Sequence, residues 1–279
     1  MSAVRSITSK TCLAVTVAAI LGLAACGDDD DDAATDPAPV DAEPADDSEG
    51  DVDAYCDASL AFEKIPDPEI DFETASEEEV ATGLKAYATD TLTPAVADIV
   101  ATAPDELSDE ADRFSAIVDE IAATGDGSLF DSPEAAEDSA TAHAFDLESC
   151  GWESVDVTAT NYAFDGIPAE LPAGVTSFDL GNEGEDLHEL LLVRRNDGVT
   201  QSAEELLALP EEEAMSLTTM VGTTAFAAPG EEDYTVVDLE PGDYVALCFV
   251  PVGATSTDGP PPEGPPHAME GMYTEFTVT

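Results

Sequence analysis

Basic residues are nearly absent. The 279-residue chain has 7 Lys and Arg against 63 Asp and Glu, a formal net charge of 7 − 63 = −56. Binding to nucleic acid needs clustered Lys and Arg to neutralise phosphates, so nucleic acid is excluded as a partner. The same deficit excludes adsorption to an anionic lipid surface by charge. There is no Gly-x-Ser-x-Gly elbow, no His-Glu-x-x-His pair and no phosphate-cradling glycine loop, and the chain is expected not to be an enzyme. What remains is an ordinary globular content, with 43% hydrophobic and 25% charged residues. Nearly all the charges are acidic, and such a surface is tolerable where salt screens its self-repulsion. A halophilic acidic surface is the expectation.

Residues 1–25 read as a signal peptide. Arg5 and Lys10 form a short positive region ahead of the apolar stretch Thr11 to Leu23, which is too short to span a bilayer comfortably. No Arg-Arg pair precedes it, which points to export in the unfolded state. The stretch ends Leu23-Ala24-Ala25-Cys26-Gly27. This resembles the lipobox of bacterial lipoproteins, and the resemblance implies lipid on Cys26. The chain would then sit at the cell membrane, lipid-anchored on the extracytoplasmic face. The alternative is a plain secretory signal with Cys26 incidental. Residues 26–50 hold eleven acids, including the run Asp28 to Asp32, and no base or aromatic. That composition forms no core. It reads as a disordered acidic tether that self-repulsion extends.

Cysteines number five, at positions 12, 26, 56, 150 and 248. Cys12 leaves with the signal and Cys26 takes lipid. Among the remaining three, pairing is the default in an oxidising compartment, and one is left over. Cys56 and Cys150 bracket a helical segment and form the natural disulfide, leaving Cys248 as the lone thiol.

Two folded domains are expected. Residues 51–152 read as a small bundle of four or five helices. The first runs from about Asp51 to Glu63. Ser76 with Glu79 makes a capping box, Thr93-Pro94 restarts a helix, Ser108 begins another, and Ser132-Pro133 opens the last, which reaches Cys150. His143 reads as a surface or satisfied-core residue rather than a ligand. Residues 153–279 change to strand periodicity. Strands are expected at Val155 to Ala159, Val175 to Leu180, Leu190 to Val193, Tyr234 to Leu239, Tyr244 to Val250 and Tyr273 to Val278. Ser202 with Glu205 caps an inserted helix of about 14 residues. The fold class is therefore α+β: a disulfide-stapled helical bundle followed by an all-β sandwich with one inserted helix.

Four metal-binding side chains fall at strand ends in the second domain. His188 starts a strand after Asn182-Glu183-Gly184. Cys248 ends a strand after Pro241-Gly242-Asp243-Tyr244. His267 and Met272 precede the last strand. Two imidazoles and a thiolate in a plane, with a weak axial thioether, make a copper electron-transfer site. The thiolate suits Cu(I) and the imidazoles suit Cu(II). Met269 competes with Met272 for the axial place. The bland readings are a buried small residue for Cys248 and core packing for Met272.

These motifs resemble the cupredoxin family, the plastocyanin-like blue copper proteins, over about residues 153–279. The resemblance implies a Greek-key sandwich and one copper ion held by His188, Cys248, His267 and Met272. The whole plan also looks like lipoproteins of high-GC Gram-positive bacteria in which a helical domain precedes a cupredoxin domain. One departure stands out. Between Cys248 and His267 lie 267 − 248 − 1 = 18 residues, where electron-transfer cupredoxins keep only a few. This loop, 249–266, must bulge out and return for both residues to bind one ion. Three roles follow: a membrane-tethered electron carrier with a redox protein partner, a copper delivery or buffering protein, or a metal-free interaction module. The carrier is the leading one, as a monomer.

Overall fold

The computed structural model describes residues 48–72, 74–257 and 261–279, with side chains from Val52 onward. The signal peptide, the lipid site Cys26 and most of the 26–50 tether lie outside the described residues.

Among the described residues, the first half holds five α-helices: α1 (Ser48–Glu63), α2 (Glu77–Tyr87), α3 (Thr93–Thr102), α4 (Ser108–Thr124) and α5 (Pro133–Ser149). Helix α1 therefore begins three residues before the expected Asp51, inside the stretch read as tether. The Ser76–Glu79 capping box is formed in both directions. At the other end of α4, Gly125 takes a left-handed C-cap at φ 75°. A Cβ there would meet the Ala81 carbonyl oxygen at 2.3 Å, so glycine is needed twice over.

Helix α3 starts at Thr93 with Pro94 in its first turn, as expected. Helices α2 and α3 are joined through a π-helical turn, Ala88–Leu92, in which the Thr93 N–H bonds the Ala88 carbonyl. Pro94 has no N–H for an ordinary helical bond. The wider turn immediately before it lets the helix run on, and the Thr93 hydroxyl also donates to the Ala88 carbonyl at 2.9 Å. Ala88, Leu92 and Val96 from this rod bury against Val118 and Ile121 of α4. Tyr55, Ile99, Leu107 and Ala111 form a second cluster, next to the disulfide between Cys56 and Cys150.

Among the described residues, nine strands make the second half. They are β1 (Glu153–Thr160), β2 (Ala163–Asp165), β3 (Glu170–Leu171), β4 (Gly174–Asn182), β5 (Leu191–Arg195), β6 (Thr218–Thr223), β7 (Glu232–Leu239), β8 (Gly242–Leu247) and β9 (Tyr273–Val278). One sheet has the order β2-β1-β4-β7 and the other β3-β9-β8-β5-β6. The chain passes back and forth between the sheets rather than meandering, and β1 pairs with β4 in parallel. Phe178, Leu180, Leu190, Leu192 and Tyr244 fill the space between the sheets. Strands β2, β3 and β6 were not expected from the sequence, and β8 stops at Leu247 rather than Val250.

The single inserted helix is also corrected. Two short helices, α6 (Ala203–Leu207) and α7 (Glu211–Leu217), stand in its place. The Ser202–Glu205 box starts α6 as expected. Pro210 then caps α7 in an extended conformation, ψ 140°, because it lacks the N–H that a continuous helix requires.

His143 joins the two halves. Its ring stacks on Tyr234 of β7 at 3.5 Å and 4°. Its Nε2 lies 2.7 Å from Asp179 Oδ1 on β4. Burial works against ionising Asp179, but the bonds from His143, Ser154 and Ser177 outweigh it and hold the carboxyl below the usual range. His143 thus packs between the layers with Nε2 paired, while its Nδ1 is buried without a hydrogen-bond partner.

Two other acids move the opposite way, chiefly because they are buried. The Asp146 carboxyl is raised to about 6 and that of Asp233 to about 7. Each folded-state value lies above the unfolded one, so the native state binds more protons between them. Their contribution to stability therefore falls as pH rises from about 4 towards about 7. At constant salt, the metal-free Asp146→Asn/Asp233→Asn variant is expected to lose less of its denaturation midpoint than the wild type between about pH 4.5 and about pH 7.5. An equal loss in both proteins would contradict this.

Candidate metal centre

Sheet register gathers the expected ligands at one end of the sandwich. In β8 and β9, Leu247 stands opposite Tyr273, so the next residue of β8 meets the one before β9. There the Cys248 N–H donates to the Met272 carbonyl at 3.3 Å. Strand β5 pairs with β8 through Leu191 and Leu247, which brings the 183–190 segment alongside. His188 forms an isolated bridge with Ala227. His267 opens a 3₁₀ turn, His267–Glu270, before β9.

The long loop closes at its base. The Ala268 N–H bonds the Cys248 carbonyl at 2.8 Å, and the His267 N–H bonds the Val250 carbonyl at 2.9 Å. The Val252 N–H reaches the Pro265 carbonyl at 2.9 Å, and Pro251 bridges Pro266. The two arms pair like the start of a hairpin, so eighteen intervening residues do not separate the ligands.

The donor atoms of His188, Cys248 and His267 all lie within 4.8 Å of one another. Cys248 Sγ is 3.9 Å from His188 Nδ1 and 3.5 Å from His267 Nδ1. Metal bonds of about 2.0 Å to nitrogen and about 2.3 Å to sulfur place two donors of one ion roughly 3.6 Å apart. All three side chains are 0% exposed, as is Met272, which packs in the same core cluster as Cys248. Met269 is 56% exposed, so of the two methionines only Met272 is buried with the other donors. The His188 Nε2 atom is buried without a hydrogen-bond partner. No side chain fits beside it: a Cβ on Gly184 would stand 2.5 Å from that atom.

Electrostatics prepares the imidazoles. Burial, then the neighbouring His267, lowers His188 to about 4. Burial also lowers His267. Both rings are therefore neutral near pH 7 and free to donate a lone pair. Burial, then the nearby Glu189 carboxylate, pushes the Cys248 thiol up to about 12. A metal must displace that proton on binding. Two neutral imidazoles, one soft sulfur and a thioether, all removed from water, are the donor set of a single copper ion.

Three supporting residues carried no assigned role in the sequence. Asn182, 2% exposed, donates to the Asp186 and Ala227 carbonyls and accepts from the Gly184 N–H. Its Asn-x-Gly spacing was visible as a motif. Tyr162 lies 5.0 Å from the His267 ring in a left-handed conformation, φ 68°, a cost that a non-glycine residue bears only where its surroundings hold it. Asp186 contacts His267 directly: its Oδ2 is 3.3 Å from Nε2.

No protein-family model and no curated protein matches the chain. Solved structures do. The dithionite-reduced auracyanin of the photosynthetic bacterium Roseiflexus castenholzii is 21% identical, with a TM-score of 0.30, over 45% of this chain and 96% of its own. Auracyanin A of Chloroflexus aurantiacus, titled a "blue" copper protein, is 17% identical, with a TM-score of 0.28, over 45% and 98%. Rusticyanin of Thiobacillus ferrooxidans is 16% identical, with a TM-score of 0.28, over 46% and 78%. Among the described residues the chain combines helices, the Cys56–Cys150 disulfide and a β-sandwich.

Proposed function

We propose that this protein is a membrane-tethered electron carrier that holds one copper ion between His188, Cys248, His267 and Met272. The observation that supports it most is the convergence of three buried ligating atoms within 4.8 Å. Copper held by such donors supplies a one-electron Cu(II)/Cu(I) couple. The protein's part is to keep the donors fixed. Cys248 is held at the end of β8, His188 by its bridge to Ala227, and His267 by the paired loop arms. Met272 adds a soft donor that makes no strong demand on geometry. Burial of all four excludes water and stray ligands.

A lipid on Cys26 would anchor the chain at the extracytoplasmic face of the cell membrane, and the 26–50 tether would hold the folded part off the lipid. Among the described residues no helix is long and apolar enough to cross a membrane. The helical domain and the cupredoxin-like domain act as one monomeric unit, joined through His143. Exposed Phe249 and Met269 lie one and two residues from ligands and mark the face a redox partner would approach. The acidic surface suits a cationic partner in a salt-rich medium. No catalytic role is proposed.

Redox cycling tests the carrier role. Copper-loaded protein, reduced with ascorbate and reoxidised with ferricyanide over repeated rounds, is expected to return to its starting spectrum with its copper retained. Release of copper on reduction would overturn the carrier reading and favour delivery.

A further inference from the structure

Asp186 is one acid among 63, yet its position is unlike that of a solvated surface acid. It is 8% exposed. One of its oxygens, Oδ2, lies 3.3 Å from His267 Nε2 and accepts the Gly253 N–H at 2.8 Å. Gly253 belongs to the 249–266 loop. The next residue on each side adds a second tie, because the Leu187 N–H bonds the Ala254 carbonyl. Asp186 thus sits where the loop, the His188 segment and the second imidazole meet.

The chemistry of a neutral imidazole makes this contact directional. Only one ring nitrogen carries hydrogen, and the other offers the lone pair. His267 Nδ1 faces Cys248 Sγ at 3.5 Å, so Nδ1 must be bare if it binds metal. The hydrogen then sits on Nε2, pointed at a carboxylate oxygen. A carboxylate there fixes the tautomer and orientation and increases the basicity of the ligand. The arrangement is one-sided, since His188 Nε2 has no such partner.

We infer that Asp186 is a positioning residue that fixes His267 as the Nε2–H tautomer and whose buried negative charge biases the bound copper towards Cu(II). This rests on the copper reading above. A fixed anion on the far side of the His267 ring would favour the higher charge state of an ion held at Nδ1, because in a dry site charges are poorly screened. The long loop contributes by shielding Asp186 from water and by supplying a second N–H that holds the carboxylate in place.

The experiment compares the wild type with Asp186→Asn and Asp186→Ala. The Asn side chain keeps an accepting oxygen but loses the charge. Asp186→Asn is expected to keep the tautomer while its Cu(II)-over-Cu(I) preference drops at least about tenfold, seen as a reduction potential higher by about 59 mV. Imidazole nitrogen shifts in the metal-free protein read the tautomer without copper. The wild type and Asp186→Asn should carry hydrogen on Nε2 of His267, and Asp186→Ala should show a mixture. An unchanged potential in Asp186→Asn, or hydrogen on Nδ1 in the wild type, overturns the inference. A wild type that takes no copper overturns the copper reading instead, and the nitrogen shifts then decide alone whether Asp186 positions His267.

Discussion

Replacing Cys248 with serine should abolish the intense visible absorption of the copper-loaded protein and weaken copper retention by more than about a hundredfold. Loss of a residue that merely supports a ligand costs about 10–100-fold in metal affinity, and Cys248 is proposed as a ligand itself. Its sulfur is the atom both imidazoles face, at 3.9 and 3.5 Å. A serine hydroxyl is harder, holds its proton more tightly and gives no thiolate-to-copper transition. The fold should survive, since the side chains differ little in volume. Leaving a buried hydroxyl unpaired in the core costs about 1–3 kcal/mol, so Cys248→Ala serves as the control without that penalty. Retention of the band in the serine variant would show that the sulfur is not a ligand.

The second large effect concerns the helical region. Cys56 and Cys150 close a loop with a sequence separation of 94. In the chain-entropy model a loop of that length stabilises the fold by about 4.7 kcal/mol. Domains are stable by only about 5–15 kcal/mol, and this region's buried clusters are small. The Cys56→Ala/Cys150→Ala double variant should therefore lose most of its helical stability. Amide exchange in α1 to α5 should quicken well before exchange in the strands. The copper spectrum should persist at temperatures where those helices have opened, because no ligand comes from them. Simultaneous loss of helicity and colour would instead show that the sandwich needs the helical region to hold the site.

Much of the site was legible because its residue types are rare. Of 3 His in the chain, two fall beside strands at ligand positions. The third, His143, does the structural work expected of it. Cys248 stood out as the odd thiol, and the structure pairs the other two. Asp186 was hidden for the opposite reason: an acid in a chain of 63 carries no signal until the fold shows which one is buried. The closing of the 249–266 loop was equally unreadable, since backbone bonds such as Val252 to Pro265 leave no mark in side-chain pattern.

Departures of the fold from expectation have similar causes. Pro210 was present in the sequence, but the strong Ser202–Glu205 box drew the helix past it. At Thr93-Pro94 the helix starts where the local signal puts it, but a π turn joins it to the preceding helix without a break. Strand β6 lacks alternation, with a mixed burial pattern. Its Gly222 is held by packing, where a Cβ would meet Val237 Cγ1 at 2.4 Å.

A copper titration of the metal-free protein in high-salt buffer, followed by visible absorption and by metal analysis after desalting, tests the proposed copper site most directly. An intense thiolate-to-copper band that saturates at one equivalent is expected, with copper that stays on the protein. No band, with no copper retained, would contradict the site and leave a sandwich whose buried His188, Cys248 and His267 only pack against one another.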